Sequence, residues 1–216
     1  MNMNIGSELN EELIKKIADA IYKCIDEISY IEVGVSNKHV HLSREDMDIL
    51  FGKGAELTVK KKVGQPGQFA ANEQVKVIGP KGAFEKVRIL GPLRKQTQVE
   101  ISKTDSFALG VKAPLRDSGD LKGTPGVTLV GPEGQVAIEE GVIIAKRHIH
   151  LTPAIAKTLN AYDGQIVSVD IPGDRGGVMS HVTVRVTDTS APEMHIDTDE
   201  ANAFGMKNGD RIRFHA

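Results

Sequence analysis

Four of the chain's seven histidines fall in two His-x-His pairs, His39-Val40-His41 and His148-Ile149-His150. On a β-strand, residues i and i+2 project from one face while the residue between them points to the other. Each pair therefore offers two imidazoles to a single cation, with Val40 or Ile149 turned into a core. The surrounding text repeats as well. His39-Val-His-Leu-Ser43 matches His148-Ile-His-Leu-Thr152, a leucine follows eight residues after the first at Leu50 and Leu159, and the next strand is expected to begin at Leu57 and Ile166. A second block runs in register, with Val99-Glu100-Ile101 leading to Ala108-x-Gly110 and Met194-His195-Ile196 leading to Ala203-x-Gly205. The offset is 109 residues in the first block and 95 in the second, a gap of 14 that an extra Gly/Pro-bounded hairpin in the first copy accommodates. This pattern is that of an internal duplication.

The duplication predicts two ligand trios: His39, His41 and Glu100 in one half, His148, His150 and His195 in the other. Three nitrogen or oxygen donors with a position left open is the usual plan of a catalytic zinc site, and imidazole-rich donors suit zinc, cobalt or iron better than magnesium. Two divalent ions are expected, zinc first. His181 and His215 lie outside the repeat and are expected to be structural or solvent-facing. Arg94 stands six positions before Glu100, so an extended segment would place both on one face and aim the guanidinium at the metal. Arginine suits phosphate or carboxylate because its planar fork donates parallel hydrogen bonds and stays charged. A plain surface arginine is the alternative.

The elements that would position these residues are mostly β. Runs such as Val75 to Leu90 and Val127 to Ala145 each contain Gly-Pro-x-Gly between Val- and Ile-rich segments, a turn signal that predicts hairpins. Many short strands favour small barrels or sandwiches over a parallel sheet with crossover helices. Short helices are expected at Ser43 to Phe51 and Thr152 to Ala161, each opened by a capping hydroxyl. From Glu8 to Ile28, apolar residues at three- and four-residue steps predict an amphipathic helix. Packing of that helix over the body is expected, with docking to a larger assembly as the alternative, and Cys24 on its apolar stripe is expected to be core. The glycine stretches Gly64 to Gly67 and Gly173 to Gly177 fit no nucleotide-binding pattern and are expected to be loops.

Composition narrows the partners. A formal net charge of −2, no Trp, three Tyr and six Phe leave neither the electrostatic attraction nor the stacking platforms of a nucleic-acid binder. No apolar run approaches a bilayer span and no basic-flanked leader is present, so a soluble cytoplasmic protein is expected, without nucleic acid or membrane as partner. A single cysteine forms no internal disulfide.

Four motifs together carry a resemblance: Val35-Ser-Asn-Lys-His-Val-His-Leu-Ser43, Gly91-Pro-Leu-Arg-Lys-Gln-Thr-Gln-Val-Glu100, Lys146-Arg-His-Ile-His-Leu-Thr152 and His195-Ile-Asp-Thr-Asp-Glu-Ala-Asn202. In this order they are similar to the PduL-type phosphate acyltransferases, over essentially everything after the N-terminal helix. The resemblance implies reversible transfer of a short acyl group, propanoyl or acetyl, between coenzyme A and inorganic phosphate, with acyl-CoA, coenzyme A, phosphate and acyl phosphate as partners. It implies a mainly β fold of two small capped β-barrels that exchange strands. The chain then divides into the helix of residues 1–29, a first barrel half at 30–145 and a second at 146–216. It also implies that His39, His41 and Glu100 hold one zinc and His148, His150 and His195 the other, that Arg94 binds phosphate, and that Ser36, Arg88, Leu90 and Asn202 line a coenzyme A pocket. A homodimer is expected. Members occur free in the cytoplasm and inside bacterial microcompartments, where an N-terminal extension contacts shell or core proteins. Here about seven residues precede the helix, which favours a helix belonging to the fold. Two other functions fit the residues alone: a dinuclear zinc hydrolase acting on a thioester, and a non-catalytic metal-binding scaffold.

Overall fold

The computed structural model describes residues 5–215, with side-chain surroundings given from 11 to 214. Helix α1 (Ile5–Ser29) runs into strand β1 (Tyr30–Ser36), followed by β2 (His39–His41), α2 (Arg44–Phe51), β3 (Val59–Lys62), β4 (Phe69–Ile78) and β5 (Ala83–Gly91). The middle of the chain forms β6 (Gln98–Glu100), α3 (Lys103–Leu109), β7 (Leu115–Arg116), β8 (Val127–Val130), β9 (Gln135–Ile138) and β10 (Val142–Ala145). It ends in β11 (His148–Leu151), α4 (Pro153–Thr158), β12 (Ile166–Ile171), β13 (Gly177–Val186), β14 (Glu193–Asp197), α5 (Thr198–Phe204) and β15 (Arg211–His215).

The fold is mainly β, as expected. Six strands close into a barrel in the order β1-β14-β11-β13-β12-β15, and a nine-stranded sheet curves into a half-barrel in the order β7-β10-β6-β2-β5-β4-β8-β9, with β3 on β4. Strand β1 belongs to the closed barrel, parallel to β14 and antiparallel to β15, although residues 39–145 supply every strand of the half-barrel. Each sheet encloses its own core. Val40, Leu42, Leu50, Ile89 and Val99 pack in one, and Ile149, Leu151, Val169, Val184 and Met194 in the other. Val40 and Ile149 are fully buried, as strand alternation requires.

Both Gly-Pro-x-Gly segments are hairpin turns, closed by Gly79 N–H to the Gly82 carbonyl and Gly131 N–H to the Gly134 carbonyl, each at 2.9 Å. Ser43 and Thr152 cap α2 and α4 through their hydroxyls. Helices α3 and α5 were not anticipated. Each opens on a reciprocal cap, Ser102 with Asp105 and Asp197 with Glu200, and each ends on a left-handed glycine, Gly110 or Gly205.

Helix α1 departs from expectation. Its apolar stripe does not lie on the body: Leu13 is 55% exposed, Ile17 51% and Ile21 53%, and Cys24 is exposed rather than core. Only the last turns engage the barrel, where Arg213 donates to Asp26 at 3.0 Å and Arg211 reaches the Tyr30 carbonyl at 3.3 Å. Over the preceding turns the apolar stripe stays exposed, with nothing among the described residues packed on it. Among the described residues, no helix is long and apolar enough to cross a membrane.

Candidate active site

In the half-barrel, β2 lies between β5 and β6, and antiparallel pairing sets His39 opposite Glu100, Val40 opposite Val99 and His41 opposite Gln98. In the closed barrel, β11 lies between β13 and β14, with His148 opposite His195, Ile149 opposite Met194 and His150 opposite Glu193. The repeat therefore recurs as strand register. Within each predicted trio, one donor atom per residue lies within 4.8 Å of the others.

The second nitrogen of several rings is already engaged. Nδ1 of His39 donates to the Asn37 carbonyl at 2.8 Å, Nδ1 of His41 to the Leu90 carbonyl at 3.2 Å, and Nδ1 of His148 to the Lys146 carbonyl at 2.8 Å. Such bonds fix the tautomer and leave Nε2 as a bare lone pair for a metal. Nε2 of His39 and His41 then face the Glu100 carboxylate at 3.5 and 3.6 Å. Nε2 of His148 and Nε2 of His150 converge to 3.1 Å, and the His195 ring centroid stands 5.1 and 5.0 Å from theirs. Burial, more than any neighbouring charge, pushes His41 and His150 down to about 4 and His148 down to about 3. Those three imidazoles are neutral near pH 7, the form that ligates. Converging imidazole nitrogens with one carboxylate make a donor set that fits two divalent ions of the zinc type.

Both trios line one cleft of about 740 Å³, together with Arg94, Ser118, Lys146 and Arg185. Arg94 reaches it from a loop rather than from an extended strand, since β6 begins only at Gln98. Its Nη1 donates to Ser118 Oγ at 2.9 Å, and that hydroxyl donates to Glu100 Oε1 at 3.1 Å, so guanidinium and carboxylate are tied through one serine.

Of the residues expected in a coenzyme A pocket, Ser36, Arg88 and Leu90 line the same cleft. Arg88 is anchored by Nη1 donating to the Ala71 and Asn72 carbonyls, both at 2.9 Å. Asn202 is not brought there; it sits exposed on α5, outside the cleft lining. His181 is exposed, as expected, and the His215 side chain lies outside the described residues.

Glu193 escaped the sequence reading. Its Oε2 stands 2.7 Å from Nε2 of His195 and accepts from Gln65 Nε2 at 3.0 Å. The signal was available, because Glu193 and His195 stand at i and i+2 on one strand face. The Gly64 to Gly67 stretch is a loop, yet Gly64 has a further reason: a Cβ there would collide with the Glu193 carboxylate. Arg185, Lys146 and Asp117 were missed too. Asp117 accepts from Lys146 Nζ at 2.7 Å and from Arg185 Nη2 at 3.1 Å.

The sequence profile of the phosphate propanoyltransferases matches residues 32–207. A phosphate propanoyltransferase of Rhodopseudomonas palustris is 57% identical over 183 residues, 85% of this chain and 81% of that protein. One of Thermotoga maritima is 52% identical over 205 residues, covering 94% and 97%, and one of Salmonella typhimurium is 48% identical over 203, covering 93% and 95%. With the profile spanning both ligand trios and Arg94, the chain belongs to the phosphate propanoyltransferase family and is a transferase.

Proposed function

We propose that this enzyme reversibly transfers a propanoyl or acetyl group between coenzyme A and inorganic phosphate, and that it depends on two divalent metals, zinc first. The observation that carries this reading is the convergence of both donor trios and Arg94 on one cleft. His39, His41 and Glu100 would hold one ion, and His148, His150 and His195 the other. Bound there, the metals supply Lewis acidity toward charge developing on a thioester carbonyl oxygen and a departing thiolate.

Arg94 binds phosphate through parallel N–H donors, with Ser118 fixing the guanidinium. A phosphate oxygen attacks the thioester carbonyl carbon; the C–O bond forms, the C–S bond breaks, and the electron pair leaves with the coenzyme A sulfur. Orientation of phosphate toward that carbon contributes the rest of the acceleration. Attack is direct and requires no acyl-enzyme, and the chain's one thiol is exposed on α1, away from the cleft lining. Ser36, Arg88 and Leu90 hold coenzyme A along the cleft, whereas Asn202 is exposed on α5 outside that lining.

The chain is divided as 1–29, 30–145 and 146–216, with β1 of the middle segment exchanged into the closed barrel, and it acts as a homodimer in the cytoplasm. The bare apolar face of α1 favours docking over packing for that helix, toward microcompartment proteins where these are present. Arg94→Ala should lower phosphate-dependent turnover by about 100-fold or more while both metal equivalents remain bound. Unchanged turnover would remove the arginine from the reaction. A thioester hydrolase would release coenzyme A from acyl-CoA without phosphate, and a scaffold would release none when fully metallated.

A further inference from the structure

We propose that Arg185 is a second phosphate-binding arginine, which grips the oxyanion together with Arg94 from the opposite barrel. This rests on the reading of Arg94 given above. Arg185 lies on β13 of the closed barrel, level with His150, whereas Arg94 belongs to the half-barrel half of the chain. Two consecutive residues hold the pair. Asp117 accepts from Arg185 Nη2 at 3.1 Å, and Ser118 accepts from Arg94 Nη1 at 2.9 Å. Both guanidinium groups thus face one cleft from a single dipeptide. They are close enough that Arg185 contributes, after burial, to lowering the Arg94 pKa.

The charge count favours an anion of more than one charge. Asp117 is shared between Arg185 and Lys146, so one carboxylate faces two cations, and Glu100 is committed to His39 and His41. A phosphate dianion or an acyl phosphate has three terminal oxygens, more than one guanidinium edge satisfies. The duplication shows that the strand itself needs no cation there. By register along the parallel pairs β2·β5 and β11·β13, the position of Arg185 corresponds to Leu90 in the other half. The rival role is a strut joining the two halves through Asp117.

Steady-state kinetics of the metallated enzyme with inorganic phosphate varied at saturating acyl-CoA separates these roles, alongside metal content and Tm. Arg185→Met should raise KM for phosphate about 10-fold or more, as expected for a lost charge-assisted contact, with KM for acyl-CoA within about twofold and both metals retained. Arg185→Lys should recover part of the loss. An unchanged phosphate KM, with the effect confined to Tm or to acyl-CoA KM, would overturn the proposal. Should Arg185→Met fail to fold, Asp117→Asn keeps the shape and frees the guanidinium; about a threefold rise in phosphate KM supports the proposal and no rise overturns it. Arg94→Ala impaired toward phosphate with Arg185→Met unimpaired would sink Arg185 alone. Absence of phosphate-stimulated coenzyme A release from the unaltered enzyme would sink the functional reading and this inference with it.

Discussion

His39 and His148 occupy equivalent positions on β2 and β11, both almost completely buried, and their imidazoles shift in opposite directions. Burial disfavours charge on each. At His39 the Glu100 carboxylate and the Asn37 carbonyl more than reverse that penalty, and the pKa rises. At His148 the facing residue is His195, no carboxylate offsets burial, Arg185 adds to it, and the pKa falls to about 3. Glu100 itself ionises against the cost of its burial and is held well below the usual carboxylate range by His39 and His41. Duplicated backbone thus repeats the geometry, while one register position changes the donor type: a carboxylate faces His39 in the half-barrel, an imidazole faces His148 in the closed barrel. A ligand pair with unequal electron donation can treat two substrate oxygens, or an oxygen and a sulfur, differently.

Removing one member of each trio tests whether both are needed. Glu100→Gln and His195→Ala should each lower bound metal from two equivalents to one by elemental analysis. Each should also cut turnover by more than the roughly 10–100-fold that outer-shell partners of a metal carry. Full activity in either variant would break the equivalence of the two clusters. Glu100→His makes the first cluster resemble the second. Two equivalents should be retained, with turnover about 10-fold lower, if the negative charge and not the ligand count distinguishes the sites. The reciprocal change lies outside the trios: Glu193→Gln gives β14 the residue that Gln98 supplies on β6, opposite His150 as Gln98 is opposite His41. Metal content should hold and turnover fall about threefold, through a less firmly held His195. Ile149→Val copies Val40 into the closed barrel and should cost about 0.5–1.5 kcal/mol in denaturant unfolding without changing turnover.

That these six residues gather into two trios of metal-ligand type was legible because two short-range rules sufficed, alternation along a strand and repetition of a motif. Helices α3 and α5 were equally legible in principle, since Ser102-x-x-Asp105 and Asp197-x-x-Glu200 announce them, but their few residues show too little periodicity. Cys24 illustrates a different limit: periodicity says which face of a helix is apolar, not whether another element covers it. Arg94 was expected in the right place on the wrong backbone. A loop and the Ser118 hydroxyl orient it, rather than the extended strand that its spacing from Glu100 implied. Arg185, Asp117 and Asn202 depend on how separate segments meet, and spacing along the chain carries no record of that.

Pairing of β1 with β15 seals the closed barrel using strands from near opposite ends of the described chain. During synthesis the seam stays open until Arg211–His215 leave the ribosome, while residues 39–145 can already complete the other sheet. This non-local pairing waits for the last strand to be made, which makes closure a late event. A nascent chain therefore holds one finished donor trio, His39, His41 and Glu100, before it completes the other.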